Sequence, residues 1–512
     1  MIASDKVFDL LIVGGGINGA GIARDAAGRG LKVLLVEQDD LAAHTSSAST
    51  KLIHGGLRYL EQGELRLVRE SLIERGRLLG IAPHIIAPLE FVALQSGAPR
   101  PQWLVRLALL IYDRLGGRER LPRSRTIALA DPPFAAGLRD PGGKAFAYFD
   151  CRVADSRLVV LNALDAAERG AEVRTRTRFV RAERRDGQWL ATLSDRAGEE
   201  RVRAKVLINA AGPRVAQLFE RLDGVRPGRA VRLVKGSHLV LPRLYPGEHA
   251  FVIQNPDRRV VFAIPFERDF TLVGTTEAEW HGPPANPTID QHEIRYLLDT
   301  VTRTFTRPVG ASDIRWTYAG IRPLIEDGSK SLSRVTRDYV LDLDHGPSNP
   351  RSNRSSGGAL LSVFGGKLTT YRRLAERAMQ RLAPLFPGLP GPWTGARALP
   401  GGDFSGTLAD YGARLLELFP DLPALLLERL AASYGSRTEL MLGDARIMAD
   451  LGEIFGSDLT QREVDYLVAN EWARSAEDIL FRRSKLGLHV ADGTAQRLDA
   501  YVRSRLAAGD AS

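Results

Sequence analysis

Six consecutive residues near the start of the chain, Gly14-Gly15-Gly16-Ile17-Asn18-Gly19, have the G-x-G-x-x-G spacing that binds the diphosphate of a dinucleotide. The motif glycines allow a tight turn and let backbone N–H groups approach a diphosphate at the positive end of a helix. Glu37 follows at a spacing at which a carboxylate accepts hydrogen bonds from a ribose. The chemistry that these residues offer is the binding of a nucleotide cofactor.

The residues around this turn have the pattern of a strand, a helix and a second strand. Phe8 to Val13 is an apolar run of strand length, Ile17 to Ala27 fits a helix, and Lys32 to Val36 fits a second strand with an acidic end. A glycine-rich turn alone is weak evidence, because such turns are common in loops that bind nothing. Since all three elements agree with the motif, the stretch predicts a dinucleotide-binding βαβ unit.

A stretch rich in small residues and hydroxyl groups follows, from Asp39 to Leu60. It has two adjacent glycines before an arginine and a tyrosine, and its hydroxyl residues include Thr45, Ser46, Ser47, Ser49 and Thr50. Such residues suit a backbone that passes close to a ligand, although the same composition is typical of an ordinary polar loop. Because the stretch directly follows the second strand of a nucleotide site, we expect it to contact the phosphates of the cofactor.

Composition bounds the class of protein. A chain of 512 residues is too long for one compact core, so two or three domains are expected. The 70 Lys and Arg against 61 Asp and Glu give a net charge of +9, which favours a phosphate compound, a nucleic acid or an anionic membrane as partner. The single cysteine, Cys151, excludes an internal disulfide and fits a reducing compartment.

Signals for export and membrane insertion are not found in the sequence. Leu10 to Val13 is a short apolar run with two aspartates before it and glycines after it, unlike a signal peptide. No stretch approaches the roughly 20 apolar residues that span a bilayer. We therefore expect a cytoplasmic protein whose contact with a membrane would be peripheral or monotopic.

The segment from Trp103 to Leu115 is the most unusual of the predicted helices. It is apolar nearly all round, with Arg106 and Asp113 on one narrow side. A basic cluster follows at Arg114, Arg118, Arg120, Arg123 and Arg125. An apolar helix beside arginines is typical of an interfacial membrane element, but a buried helix with a loop behind it has the same pattern, so both interpretations stay open.

Charge patterns elsewhere indicate solvated faces rather than a nucleic-acid site. Glu61 to Leu79 fits an amphipathic helix with a charged outer face. Glu172 to Arg181 alternates, so that Arg174, Arg176 and Arg178 would share one side of a strand. Because zinc-ligand spacing and interleaved basic and aromatic residues are both missing from the sequence, we expect no metal site and no nucleic-acid partner.

The second half of the chain changes from strands to helices. Val231 to Thr275 contains short β-branched segments typical of an antiparallel sheet, which would form a substrate domain. Ile314 to Leu324 is expected to return as a strand followed by a tight turn that holds Arg322 between Gly320 and Pro323. The polar composition of His345 to Gly358 predicts a flexible loop.

Ala359 to Leu382 repeats the order of strand, double-glycine turn and helix that opens the chain. The N-terminus of this second helix is a second natural anion site. Past Pro392 the patterns are helical only, which predicts a separate C-terminal cap or interaction domain without a chemical site of its own.

Together, several stretches resemble one family, the FAD-dependent glycerol-3-phosphate dehydrogenases. GGGINGAGIARDAAGRG, TSSASTKLIHGGLRYL, NAAGP, KGSH, GTT, YAGIRPL and FGGKLTTYR occur in the family's order over residues 7 to 373. The resemblance implies an α/β fold with a D-amino-acid-oxidase-like, Rossmann-type FAD domain, an inserted antiparallel-sheet substrate domain and an all-α C-terminal domain. The implied boundaries are 1–90 with 150–215 and 315–390 for FAD, 91–149 with 216–314 for substrate, and 391–512 for the helical domain.

The function implied by the resemblance is the oxidation of sn-glycerol 3-phosphate to dihydroxyacetone phosphate, with electrons passed from FAD to a membrane quinone. It also implies a monotopic enzyme at the inner face of the cell membrane, often a homodimer. The residues support a flavin independently, because only one G-x-G-x-x-G is present and a second such site for a nicotinamide cofactor is missing from the sequence.

The resemblance also implies roles for single residues. Cofactor contacts fall on Gly14, Gly16, Ile17, Asn18, Gly19, Glu37, Thr45, Ser46, Ser47, Ser49, Lys51, Leu52, His54, Gly212, Gly366, Lys367, Leu368 and Thr369. The implied substrate contacts are Arg58, Tyr59, His238, Arg322, Lys367 and Thr370, of which Arg58, His238, Arg322 and Lys367 are the implied catalytic residues. Arginine suits a phosphate because its planar fork can hold two oxygens at once.

Two questions stay open at this level. His238 and His54 are both candidates for the base that removes the hydroxyl proton, since a neutral imidazole accepts a proton near pH 7. The acceptor could be oxygen instead of a quinone, as in a glycerol-3-phosphate oxidase or another D-amino-acid-oxidase-like flavin oxidase of an anionic substrate. A flavoprotein without enzymatic activity, or a tRNA-binding module, is a further alternative that the basic composition suggests.

Overall fold

The computed structural model describes residues 3–95, 100–116, 121–226, 228–274, 276–326, 338–346 and 358–509, without the side chains at 3–5, 58 and 62. Most of the predicted flexible loop from His345 to Gly358 lies outside these residues, as do Arg118, Arg120 and Thr275. The implied role of the Arg58 side chain also lies outside the description.

The described residues form strands β1 (Ala3–Val13), β2 (Val33–Val36), β3 (Leu52–Ile53), β4 (Ile86–Ala93), β5 (Arg125–Ala128), β6 (Lys144–Val153), β7 (Glu172–Arg174), β8 (Arg178–Arg185), β9 (Gln188–Asp195), β10 (Gly198–Asn209), β11 (Val231–Pro242), β12 (Ala250–Gln254), β13 (Val260–Phe266), β14 (Phe270–Gly274), β15 (Ala278–Glu279), β16 (Trp316–Ile325), β17 (Val340–Asp344), β18 (Ala359–Phe364), β19 (Ile454–Gly456) and β20 (Leu459–Thr460). The helices are α1 (Ile17–Gly28), α2 (Leu65–Ile81), α3 (Gln102–Leu115), α4 (Asp155–Glu168), α5 (Val215–Phe219), α6 (Gln291–Thr304), α7 (Tyr371–Leu382), α8 (Leu408–Leu418), α9 (Ala424–Tyr434), α10 (Arg437–Leu442), α11 (Gln461–Asn470) and α12 (Thr494–Gly509).

The first sheet is the predicted nucleotide-binding sheet. Its central strands run parallel in the order β7-β2-β1-β10-β18, with β17 antiparallel at one edge. One face packs against α1 and α7, and the other against α5 and the hairpin of β8 and β9. Because both faces are covered, the inner strands are continuously apolar, as in β2, whose four residues are all buried. The predicted Rossmann-type arrangement is confirmed.

The second sheet has the order β15-β11-β14-β13-β12-β4-β6-β3, with β16 paired to β11 and β5 to β6. It is antiparallel except for the parallel pair of β12 and β4. It also takes in β3, β4 and β16, which the predicted boundaries placed partly or wholly in the nucleotide-binding domain. Helix α6 covers one face and α3 the other, so this sheet has its own core.

The predicted turn around Arg322 is wrong. β16 continues from Trp316 to Ile325, and Arg322 lies opposite Val234 of β11 in a regular antiparallel register. Within the described residues β16 pairs only with β11, so it is an edge strand. A proline is tolerated there because its missing N–H interrupts no ladder on the outer side. The strand therefore holds the arginine more rigidly than a turn would.

Two other local predictions need correction. Helix α2 begins at Leu65 rather than Glu61, because 3₁₀ turns at Leu57–Gln62 end at Gly63 with φ of +77°. The predicted strand of alternating arginines is broken into β7 and β8, and Arg176 between them has φ of +54°. Arg176 forms an ion pair with Asp478 of the C-terminal segment, so this face is not simply solvated.

The C-terminal segment from residue 393 onward is built of α8 to α12 around one apolar core. It is helical as predicted, except for the short hairpin of β19 and β20 and a π-helical turn at Asp478–Arg483. This turn docks on the nucleotide-binding domain, where Arg482 and Arg483 both donate hydrogen bonds to the buried carboxylate of Asp40. No helix within the described ranges has the length and apolar character needed to cross a membrane.

Candidate active site

The site lies where four parallel strands end at one edge of the first sheet. β1, β2, β10 and β18 are adjacent and parallel, so the loops after them converge, as expected for a ligand site of an open α/β sheet. These loops form one end of a cavity of about 510 Å³. From these loops and the hydroxyl-rich stretch, the cavity wall includes Gly16, Ile17, Asn18, Thr45, Ser46, Ser49, Leu52, His54, Gly212, Gly366, Lys367, Leu368 and Thr369.

The glycine turn at the start of α1 has no space for side chains. A Cβ on Gly19 would lie 1.9 Å from the carbonyl oxygen of Gly14, and one on Gly14 would lie 2.5 Å from the carbonyl oxygen of Ala210. Gly14 also has φ of +116°, which disfavours any other residue. The loops after β1 and β10 thus meet backbone to backbone at the N-terminus of α1, where the positive end of the helix favours an anion such as a dinucleotide diphosphate.

Glu37 fixes this turn from the end of β2. Its Oε2 accepts a hydrogen bond from Gly15 N at 2.7 Å, and its Oε1 accepts one from Asp39 N at 3.0 Å. Burial raises the pKa of Glu37, and the two backbone donors partly oppose that rise. Glu37 does not line the cavity, so the ribose contact stays a prediction, for which each carboxylate oxygen keeps a lone pair.

The predicted hydroxyl contacts divide into two groups. Ser46 Oγ accepts a hydrogen bond from Ile17 N at 3.0 Å, beside the N-terminus of α1. Thr45 Oγ1 and Ser49 Oγ donate to Ile321 O and to Asp155, which ties the loop to its surroundings. All three residues line the cavity, whereas Ser47 faces a smaller neighbouring cavity.

Lys51 does not line the cavity for which the sequence predicted it. Its Nζ lies 2.9 and 3.0 Å from the two carboxylate oxygens of Asp155 and donates a further hydrogen bond to Ser47 O. Lys51 has φ of +60° and is buried, so the loop bends sharply at this ion pair. In this arrangement Lys51 holds the loop rather than the ligand.

The second helix N-terminus closes the other side of the cradle. Gly365 and Gly366 have φ of +72° and +101°, and the chain then turns through Leu368–Thr370 into α7. Asn18 Nδ2 donates to Gly365 O at 3.2 Å, which joins the two glycine turns. Thr370, predicted to contact substrate, is buried and is not part of the cavity wall, whereas its neighbour Thr369 is.

Cations and an aromatic ring face each other beyond the cradle. Arg322, Lys367 and Tyr59 all line the cavity, and Lys367 Nζ lies 3.8 Å from the centre of the Tyr59 ring. Arg322 packs over Gly236, where a Cβ would lie 2.7 Å from Nη2, and its Nη1 is 3.9 Å from Glu277. The structure therefore brings together three of the residues predicted to bind substrate, which come from three separate parts of the sequence.

His238 is placed behind the cavity wall rather than in it. Its side chain is 1% exposed, and its ring stacks on that of Tyr318 with the centres 4.8 Å apart. Nε2 lies 3.0 Å from Thr50 Oγ1. Burial, Arg322 and Lys51 together lower the pKa of His238 well below its ordinary value, so the ring is neutral near pH 7. His54, the other candidate base, does line the cavity.

The cavity also has an apolar arm that sequence patterns did not reveal. Leu104, Leu107 and Ile111 of α3 are partly exposed to solvent and also line the cavity. The other apolar residues of the arm are Leu57, Leu60, Phe91, Val252, Val260 and Phe262. Val105, Leu109 and Tyr112 of the same helix are buried against the second sheet, and Val105 also lines the cavity, so the helix is neither fully buried nor fully exposed. Trp103 is 69% exposed, and the signal present in the sequence was only that Trp103 to Leu115 is apolar nearly all round.

Comparisons with known proteins agree with this geometry. Residues 9–372 match the model of the FAD dependent oxidoreductase family, and residues 393–504 match that of the C-terminal domain of alpha-glycerophosphate oxidase. Glycerol-3-phosphate dehydrogenase of Pseudomonas aeruginosa is 49% identical over 98% of this chain and 96% of its own length. D-erythritol 1-phosphate dehydrogenase of Brucella abortus is 47% identical over 96% and 97%.

A solved structure extends the likeness to the fold. Glycerol-3-phosphate dehydrogenase of Bacillus halodurans, complexed with FAD, superposes with a TM-score of 0.72 at 26% identity. The match covers 98% of this chain and 95% of that one, so both domains and the helical C-terminal segment are shared.

Proposed function

This chain belongs to the FAD-dependent oxidoreductase family, and we propose that it oxidises sn-glycerol 3-phosphate to dihydroxyacetone phosphate and passes the electrons to a membrane quinone. FAD is its cofactor, as the sequence predicted, and the glycine turn after β1 excludes side chains, as expected where a backbone approaches a diphosphate. The observation that supports an anionic substrate is a pair of cations. Arg322 and Lys367 both lie on the wall of the cavity that contains the cofactor cradle.

Each cation has a distinct task in this proposal. Arg322 lies on a rigid strand and can hold two phosphate oxygens with its planar fork. Lys367 follows the second glycine turn, where its ammonium group would stabilise the negative charge that grows on the substrate oxygen. When bound, FAD accepts a hydride from the carbon that carries this oxygen. The apolar arm and the Tyr59 ring would keep water away from the reacting groups.

D-Erythritol 1-phosphate is a second candidate substrate, because a relative at 47% identity carries that name. It offers the same phosphate for Arg322 and the same kind of secondary alcohol for oxidation. The two candidates differ in the length of the polyol, so binding of the reacting end cannot distinguish them. The choice depends on how much of the cavity the uncharged end of the substrate fills.

The test is anaerobic mixing of purified protein with each polyol phosphate while the visible absorption of the flavin is followed. We expect bleaching by glycerol 3-phosphate with a higher second-order rate constant than by D-erythritol 1-phosphate. Glycerol, which lacks the phosphate, and a D-amino acid serve as controls and should leave the flavin oxidised. A faster reaction with D-erythritol 1-phosphate would make that compound the preferred substrate. No bleaching with either compound would reject the proposed function.

The quinone acceptor and a place at the inner face of the cell membrane are supported by α3. Trp103, Leu104, Leu107 and Ile111 form an exposed apolar side of this helix, and exposed apolar patches mark contact sites. Arg114, Arg123 and Arg125 nearby are exposed, which suits an anionic lipid surface. Because the apolar arm opens at this helix, a lipid-soluble acceptor would reach the cofactor from the bilayer. Direct reaction with oxygen is the alternative.

Replacing Trp103 with glutamate should weaken membrane binding without changing the reaction at the flavin. Burial of a large apolar side chain contributes about 1.5–3 kcal/mol, so W103E should weaken binding to anionic vesicles by about tenfold or more. Ubiquinone reduction on those vesicles should fall in parallel, while reduction of a soluble dye stays unchanged, because Trp103 does not line the cavity.

The matched control is L425E, which changes a 57% exposed leucine of the C-terminal segment. It should bind vesicles and reduce ubiquinone like the native protein. Equal losses in both variants would assign the effect to charge alone, and native quinone activity in W103E would argue against membrane contact through α3.

A further inference from the structure

Thr50 joins His238 to the cavity. The hydroxyl oxygen of Thr50 lies 3.0 Å from Nε2 of His238, and Thr50 is part of the cavity wall. His238 itself is buried behind that wall. Among the described residues, Thr50 is the side chain hydrogen-bonded to this imidazole, so a proton that moves between the ring and the cavity would pass through its hydroxyl group.

The segment that carries Thr50 is fixed on both sides. Before it, Ser49 donates to Asp155 through its hydroxyl group at 2.7 Å and accepts at its carbonyl oxygen from Tyr318 at 2.9 Å. After it, Lys51 is anchored to the same carboxylate of Asp155. Two ties to one buried aspartate hold the hydroxyl of Thr50 in place, which is the preorganisation that proton transfer requires.

Burial and two nearby cations keep the ring of His238 neutral before the reaction, which is the form that a base must have, and the same groups oppose its protonation. The charged groups that face it are Arg322 from β16 and Lys51 from the loop, and the phenol of Tyr318 is stacked on it. Nδ1 is buried and has no hydrogen-bond partner within the described ranges. With the proton on Nδ1, Nε2 accepts the hydrogen bond from Thr50.

We propose that Thr50 relays the proton of the substrate hydroxyl to His238, an inference that rests on the proposed function. The substrate O–H bond breaks and its proton passes to Thr50 Oγ1, while the proton of Thr50 passes to His238 Nε2. The electron pair of the substrate C–H bond leaves as hydride to FAD, and the C–O bond becomes a carbonyl. When the product leaves, the proton returns through Thr50 to water in the cavity.

The test compares two variants of the holoenzyme that differ in the hydroxyl group. T50V keeps the shape of threonine and removes the hydroxyl, whereas T50S keeps the hydroxyl. We expect T50V to slow anaerobic flavin reduction by glycerol 3-phosphate about 100-fold, since general base catalysis contributes roughly 10²–10⁴-fold. T50S should stay within about threefold of the native rate. Affinity for dihydroxyacetone phosphate, measured by titration of the flavin spectrum, should be unchanged in both.

Two further readouts separate a relay from a structural role. In T50V the rate should rise with pH, because the substrate must then lose its proton to solvent base, while the native rate stays flat near neutral pH. H238Q should slow the reaction to the same extent as T50V, and the double variant should be no slower, as expected when two residues act as one unit.

The outcomes that overturn the proposal are distinct from a failure of the proposed function. A native rate in T50V, an equal loss in T50S, or additive losses in the double variant would each reject the relay while the native enzyme still reacts with glycerol 3-phosphate. If neither polyol phosphate reduces the flavin of the native enzyme, both the proposed function and the proton relay are rejected.

Discussion

Replacing Gly19 with alanine will yield a folded protein that does not retain FAD. The added Cβ would lie 1.9 Å from the carbonyl oxygen of Gly14, so α1 must move away from the turn that follows β1. Overpacking of this kind costs about 1–3 kcal/mol, and the displaced helix N-terminus also loses its approach to the diphosphate. Together these effects should weaken FAD binding by at least about 100-fold.

The measurement is the ratio of flavin to protein after gel filtration, followed by titration of the apoprotein with FAD. G76A is the matched control, because a Cβ on Gly76 in α2 meets nothing within 4 Å. It should bind FAD normally, and alanine in a helix should leave the melting temperature equal or slightly higher. Native FAD content in G19A would mean that the turn adapts and that the cradle is not as tight as its geometry indicates.

Local sequence predicts this turn well because its strand, its glycines and the start of its helix are contiguous, and only its outer contacts, such as Ala210 and Glu37, come from elsewhere. The strand, the glycines and the start of α1 lie between residues 3 and 28, so spacing alone determines which backbone groups meet the ligand. The parallel sheet follows from the same kind of signal, since its buried strands are apolar runs with helices between them. The fold class and the cofactor can therefore be predicted from the amino-acid sequence alone.

Contacts between distant residues could not be predicted in this way. Thr50 and His238 are separated by 188 positions, and Arg483 and Asp40 by 443. The two partners in each pair belong to different elements, and their meeting depends on how the domains pack. Strand β16 shows the same limit, because the tolerance of Pro323 depends on the edge position of the strand rather than on its sequence.

The apolar arm illustrates a third kind of limit. Most of its wall comes from α3, β4, β12 and β13, none of which carries a motif, and only Leu57 and Leu60 come from a stretch that resembles the family. The sequence left open whether α3 is buried or lies at a membrane interface, and a residue that lines a cavity and one that fills a core have the same pattern. Only the packing of the second sheet against α3 leaves space between them.

Arg322→Met is expected to lower kcat/KM for glycerol 3-phosphate by about 1,000-fold, because charge-assisted bidentate hydrogen bonds contribute about 1.5–3 kcal/mol each. Methionine keeps the apolar length of the side chain over Gly236 and removes only the guanidinium group. Arg322→Lys keeps the charge but not the planar fork, so its kcat/KM should lie between those of the native enzyme and of R322M. FAD content should remain native, because the neighbouring loop is bound to the backbone of β16, through the hydrogen bond from Thr45 to Ile321 O, which the substitution leaves in place.

The expected losses identify what the guanidinium group holds. If Arg322 binds the phosphate, the variant should lose affinity for glycerol 3-phosphate and for inorganic phosphate as a competitive inhibitor to a similar degree. If it binds the reacting hydroxyl instead, phosphate inhibition should persist while the rate of flavin reduction falls. R315M, which removes an exposed arginine just before the same strand, controls for net charge and should behave like the native enzyme. Native kcat/KM in R322M would show that another cation binds the substrate phosphate and that Arg322 is not part of the substrate site.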